Sequence, residues 1–473
     1  MRRICIGLGV AMLAVAPVAG GAAADPGVRD GAGVPAVPAR AIADELLVGY
    51  ERGASEAAQA RAEAKVNGRG GDELVEGPRR VEVELIELPR GASEAGAIRA
   101  LESSPVVAYA ERNWRLGKLE VSSDTYYSDG RLWGMYGDRS PARTNPYGSQ
   151  AAEVWSSSRA GRTGDRSVVV GVIDEGIMVG HPDLDANVWR NPGEVAGDGV
   201  DNDGNGYVDD VNGWDFAGDD AGVYDGNPPV DYTTDEHGTH VAGTIGAESN
   251  GTGVVGTNWN VSLVSAKFLG AAGGTTADAI QAVDYMTALK ARGANVVATN
   301  NSWGGGGYSQ ALHDAIIRAA KADILFIAAA GNDGLNNDRW ASYPANYNTT
   351  RGTSTQSPAS YDAVISVAAI NSNGSRPSWS NYGRTTVDLG APGGSINSTV
   401  PPDSSGTAYW AMSGTSMATP HVTGGAALYE ATHPGATASR IRSALLGGTI
   451  PTSSMSTRTV TGGRLDINTA LAR

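Results

Sequence analysis

Cysteine is nearly absent: the 473 residues contain one, Cys5. No intramolecular disulfide can form, so stability must come from packing or from bound metal. Basic residues are scarce too, 36 lysines and arginines against 51 aspartates and glutamates, a net charge of −15. A surface of that sign disfavours phosphate backbones and anionic membranes, which argues against nucleic acid as a partner. Between Arg190 and Lys267 there is no lysine or arginine at all. Long apolar runs are missing as well. The run at 4–15 falls short of the ~20 residues that span a bilayer, and no later segment is long and apolar enough either. With Arg2 and Arg3 before it and Ala22, Ala23 and Ala24 after it, this run reads as the core of a secretory signal peptide over residues 1–24. The expectation is a secreted protein that loses Cys5 with its signal and keeps no membrane anchor.

What is present is concentrated in three stretches. Gly414-Thr415-Ser416-Met417-Ala418-Thr419-Pro420-His421-Val422 sets a serine among small residues, just ahead of an apolar run. Gly414 permits a sharp turn. Ser416 then falls in the first turn of a helix, where unpaired N–H groups can receive negative charge. Pro420 fits only if that helix has just begun. A lone Gly-x-Ser would read as an N-cap serine on a core helix; nine consecutive residues of this kind are harder to dismiss, and a base and a second acid elsewhere decide. Upstream, Ser167-Val168-Val169-Val170-Gly171-Val172-Ile173 reads as a buried strand ending on Asp174. Functional groups of parallel α/β sheets gather at such carboxyl ends. The third stretch, His237-Gly238-Thr239-His240-Val241-Ala242-Gly243, places a histidine ahead of small residues suited to a tightly packed helix. The order acid, base, hydroxyl differs from that of the chymotrypsin and α/β-hydrolase families.

On these three signatures the chain resembles the subtilisin-like serine proteases, the subtilases, over residues 124–473. The resemblance implies a serine endopeptidase in which Asp174, His237 and Ser416 form the triad and the Asn332 amide binds the oxyanion. It implies that Ser302, Trp303 and Gly304 form an edge that pairs with substrate backbone. Ala329, Ala330 and Gly331 would belong to the P1 pocket. The sequence shows no pocket acid that would demand lysine or arginine at P1, so broad specificity with an apolar P1 preference is expected. Glu175 departs from the family, where many members carry Thr or Ser. The other five of the six histidines, His181, His240, His313, His421 and His433, read as structural. The rival readings are a narrow processing protease and an inactive, calcium-dependent binding protein.

Residues 25–40 are rich in Ala, Gly and Pro and read as a linker. From 45 to 113 follows a small α+β unit, with strands at 46–50, 81–88 and 106–111, helices at 55–65 and 93–101, and a fourth strand that cannot be marked. Its close at 104–113 resembles the end of a subtilase propeptide. Residues 25–120 are therefore expected to be linker and inhibitor-type propeptide, and 121–473 the catalytic domain. Alternating strands and helices there predict an α/β fold, a parallel sheet flanked by helices on both faces. Protein or peptide substrates and the chain's own propeptide are the expected partners of a monomer.

The acidic stretch carries Asp201, Asp203, Asn205, Tyr207 and Asp209 at positions 1, 3, 5, 7 and 9 of an EF-hand-like loop, with Gly206 at position 6. Position 12 is Asn212 rather than a bidentate Glu, and no EF-hand helices flank the loop. Carboxylates this dense repel without a cation, so structural Ca2+ is expected. The resemblance implies a second calcium site from Asp183 and the loop carrying Asn250, with Asp124 beside them.

Overall fold

The computed structural model describes residues 41–75, 82–114, 121–157 and 159–473. The signal peptide, the linker, Val81 and residues 115–120 at the end of the expected propeptide lie outside the described residues.

The first unit is β1 (Ala41–Tyr50), α1 (Glu56–Glu63), β2 (Arg69–Val75), β3 (Glu82–Glu87), α2 (Glu94–Glu102) and β4 (Val107–Trp114). Its antiparallel sheet runs β2-β3-β1-β4. Alternation along β1 turns Leu46, Val48 and Tyr50 inward, onto Ile86, Leu101 and Ala110. Ser93 caps α2 by accepting from Gly96 N–H at 3.3 Å. The strand that the sequence hid is β2. Its text, Arg-Gly-Gly-Asp-Glu-Leu-Val, carries two glycines and no alternation.

The second unit contains β5 (Gly164–Asp174), β6 (Gly213–Asp215), α3 (Glu236–Gly246), β7 (Asn260–Lys267), α4 (Thr276–Ala291), β8 (Val296–Asn301), α5 (Gln310–Lys321), β9 (Leu325–Ala329), β10 (Val364–Ile370) and β11 (Leu389–Pro392). A hairpin of β12 (Ile396–Thr399) and β13 (Tyr409–Met412), helices α6 (Thr415–Thr432) and α7 (Ala438–Gly447), and β14 (Ile450–Pro451) with β15 (Gly463–Arg464) follow, besides short helices at Thr125–Ser128, Ala151–Trp155 and Ile467–Ala470. Nine strands form one sheet in the order β14-β15-β11-β10-β9-β8-β5-β7-β6. All its pairings are parallel except β14 with β15.

Both faces of this sheet are covered, so its central strands read as continuous apolar runs. Along β5, Val170 and Val172 join a core with Val241, Ile245, Val422 and Ala426 from α3 and α6. Val169 and Ile173 point the other way, into a core with Ala282, Met286 and Ile316 from α4 and α5. The small residues of α3 permit close packing. A Cβ on Gly238 would lie 2.1 Å from the Gly176 carbonyl oxygen.

The expectation for Pro420 is corrected here. The helix has not just begun at that residue; α6 runs through it. Proline lacks the N–H that would bond the carbonyl four residues back. That carbonyl belongs to Ser416, and Ser302 Oγ donates to it instead, at 2.8 Å. No helix among the described residues is long and apolar enough to cross a membrane.

Candidate active site

Asp174 ends β5 and is fully buried. Its Oδ1 accepts from Glu175 N–H at 2.8 Å and lies 2.8 Å from His237 Nδ1. Its Oδ2 has no hydrogen-bond partner among the described residues. His237 is the second residue of α3, and its backbone N–H donates to Glu175 Oε1. The departure from the family thus caps the first turn of the helix that carries the base.

A buried cation joins the two elements from behind. The β5–β7 register sets Lys267 directly beside Asp174. Lys267 Nζ donates to the Glu175 carbonyl, lies 2.5 Å from Asp235 Oδ1 and 3.2 Å from Asp225 Oδ2. Asp235 is the N-cap of α3, held in the left-handed region at φ 60°. Lys267 therefore fixes the turn after Asp174 against the start of the His237 helix. Nothing in the sequence marked this residue, because Asp235 and Lys267 meet only through the fold.

Burial works against a charge on His237, but the Asp174 carboxylate, with Glu175 and Glu236, outweighs it and raises the imidazole pKa to about 9. A general base must be neutral to take a proton. The kcat/KM of the free enzyme should therefore climb with pH well above 6.5, toward half-maximum near 9. Glu175→Gln removes one of the raising charges and should move that midpoint down. A pH–rate profile checks both, and a wild-type midpoint at or below 6.5 contradicts the arrangement. The same shift means that His237 contributes stability fully below its unfolded pKa. That contribution is lost as pH rises through the folded value.

Ser416 is the second residue of α6. Its Oγ donates to the Ser302 carbonyl at 3.0 Å rather than to His237. Rotation about its Cα–Cβ bond into another staggered rotamer redirects the hydroxyl. Asn332 follows β9. Its Oδ1 accepts from Thr415 N–H and Thr415 Oγ1, both at 2.9 Å. Thr415 therefore orients the amide, and Nδ2 remains available to a ligand. Gly331 before it sits at φ +111°, and a Cβ there would lie 2.4 Å from Asn381 Nδ2.

A cavity of about 480 Å3 opens beside Ser416 and Asn332. Ser302, Trp303, Gly304, Ala329 and Gly331 line it. Ala330 does not. Strand alternation turns it into a separate core with Ala368, Ile370 and Val387. The lining also holds an exposed acid, Asp333, together with Leu335 and Trp340. The other histidines are held by the fold. His181 Nε2 lies 3.1 Å from the Ala408 carbonyl, and burial pushes its pKa down to about 4. His240 and His421 are fully buried against backbone carbonyls.

The acidic loop does not fold as an EF-hand. With no helices flanking it, its carboxylates turn onto their own backbone. Asp201 accepts from Asn205 and Gly206 N–H at 3.0 and 2.8 Å, and Asp209 from Gly197 and Gly199 N–H at 2.7 and 2.9 Å. The Tyr207 ring packs on Trp214, Phe216 and Tyr285. Asp203 instead converges with Glu194 and Asp210, their carboxylate oxygens within 4.8 Å of one another. Asn205 Nδ2 donates to Asp203 and Asp210 at 3.2 and 2.8 Å. Glu194 Oε2 and Asp203 Oδ1 are buried without a hydrogen bond, the latter with only Arg292 Nη1 at 3.6 Å. Orphaned carboxylate oxygens fit a hard cation. The residues expected at the second site lie together. Asp124 Oδ1 accepts from Asn250 and Gly251 N–H, and Asn250 Nδ2 donates to Asp183 Oδ1 at 3.1 Å. Asp124 and Asp183 are fully buried, and no described lysine or arginine pairs with either.

The profile of the subtilase family, Peptidase S8, matches residues 165–461, and that of the fervidolysin N-terminal prodomain matches residues 33–113. Subtilisin DY of Bacillus licheniformis is 35% identical over 64% of this chain and 91% of its own. A thermophilic serine proteinase of Bacillus sp. (strain AK1) is 32% identical over 81% and 80%. A solved protease structure from Pseudoalteromonas arctica matches at TM-score 0.54 and 29% identity, covering 75% of this chain and 99% of that one. The chain belongs to the subtilase family. It is a subtilisin-type serine endopeptidase that carries an N-terminal prodomain.

Proposed function

We propose that the protein is a secreted, calcium-stabilised endopeptidase that works through Asp174, His237 and Ser416 and removes its own propeptide. The 2.8 Å contact of His237 Nδ1 with Asp174, beside a helix-start serine, carries this reading. Ser416 Oγ, turned from Ser302 toward His237, attacks the peptide carbonyl as His237 takes its proton. The acyl-enzyme forms as His237 returns that proton to the leaving amine. Asp174 holds the imidazole in one tautomer and stabilises its cation. Asn332 Nδ2 and the Ser416 backbone N–H receive the negative oxygen. Every group comes from one chain, so a monomer suffices. The P1 pocket, walled by Trp303, Leu335 and Trp340, takes a large apolar side chain, and Asp333 at its edge extends the range to lysine and arginine. A fluorophosphonate should label the folded protein at Ser416 alone. Active protein left unlabelled at Ser416 would refute the mechanism.

Calcium would be held by Glu194, Asp203 and Asp210, with Asn205 beside them, and at a second site by Asp183, Asp124 and the Asn250 loop. It would neutralise buried carboxylates and bind only the folded state. Excess chelator should therefore lower the melting temperature and speed self-digestion. Asp203→Asn with Asp210→Asn should remove part of that chelator effect. An unchanged melting curve, with no metal found by elemental analysis, contradicts both sites.

A further inference from the structure

Beside the P1 pocket lies a second, more open cavity of about 470 Å3. The two share Ser416 and Asn332, so they flank the position of the scissile bond. The second one also contains His237, the group that hands its proton to the leaving amine. It therefore faces the half of the substrate that departs first.

Its walls are Trp410, Met412 and Met417, and Glu236 is its only carboxylate among the described residues. No lysine or arginine lines it. Trp410 is set edge-on against Tyr232, with ring centroids 5.8 Å apart. Several acids surround the start of α3, and Asp174 and Asp225 already face His237 and Lys267. Glu175 caps the His237 N–H, and Asp235 is paired with Lys267. Glu236, half-buried, receives no hydrogen bond or ion pair from any described residue. An unpaired acid beside an indole and two thioethers complements a long basic side chain. Its charge meets Glu236, its stem lies on the methionines, and its cationic end can face the indole.

We infer that this cavity is a subsite for lysine or arginine at the residue directly after the scissile bond, with Glu236 as its specificity determinant; this rests on the endopeptidase reading above. A merely structural role for Glu236 at the helix start would affect all substrates alike.

Four quenched peptides identical except at that residue, carrying Arg, Lys, Ala or Glu, test the inference. The wild type should cleave the Arg and Lys peptides about tenfold faster in kcat/KM than the Ala peptide, and the Glu peptide about tenfold slower. Tenfold is about 1.4 kcal/mol, the scale of a hydrogen bond to a charged group in a half-buried site. Glu236→Gln should shrink the Arg-to-Glu ratio from about 100 to below about 10, and 1 M salt should shrink it in the wild type. Equal rates for all four peptides, or the same ratio in wild type and Glu236→Gln, overturn the inference. If the Ala peptide is not cut and Ser416 takes no fluorophosphonate, the endopeptidase reading fails and this inference falls with it.

Discussion

Ser416→Ala is expected to reduce peptide hydrolysis by roughly 10⁶ while leaving the fold unchanged. The magnitude belongs to subtilisin itself and is carried over by kinship. The fold should survive because the lost hydroxyl bonds only the Ser302 carbonyl, whereas the Ser416 carbonyl keeps its Ser302 donor. Removing one such bond costs about 1 kcal/mol. The same variant tests processing. If the prodomain is cut off by the enzyme's own site, the inactive chain should persist at precursor length, retaining β1 to β4, while wild type does not. N-terminal sequencing of both proteins, expressed without other proteases, decides this. Trimming of the inactive chain between about 113 and 124 would rule out self-processing.

Asn332→Leu should lower kcat by about 10²–10³ with KM little changed, a range again taken from subtilisin. The reasoning rests on Thr415, which occupies the carbonyl end of the amide and leaves its NH2 for the reacting oxygen. Charge appears on that oxygen only in the transition state, so substrate binding should hardly notice the loss. Leucine also strips two acceptor contacts from Thr415, so a small fall in melting temperature should accompany the kinetic change. A defect confined to KM would contradict the role.

The residues proposed for chemistry were legible because each sits inside contiguous text whose local structure is forced. An apolar strand must end somewhere, and β5 ends on Asp174. A glycine and small residues mark the helix start at Ser416. The hairpin of β12 and β13 stayed hidden because Ile-Asn-Ser-Thr has little apolar alternation to read. Residues that act through space stayed hidden as well. Lys267 meets Asp235 across 32 residues, and Asp333 enters the cavity beside Ser416 only through the turn after Asn332. The acidic loop misled for a related reason. Spacing locates oxygens along the chain, but the direction of Asp201 and Asp209 depends on which N–H groups the turn leaves open.

The sheet order carries a kinetic consequence. In the large sheet β5 lies between β7 and β8, and both pairings are parallel. Neither can form until a long intervening chain, helices included, has been gathered in. Each such closure loses conformational entropy before any contact repays it. The prodomain faces no comparable delay, since β1 pairs antiparallel with β3 and β4, all within one short stretch of chain. Low contact order means fast folding and high contact order slow folding. The segment proposed to be discarded is thus the one that can take shape first. The domain that remains is the slower folder, and topology alone gives it reason to be made with a companion.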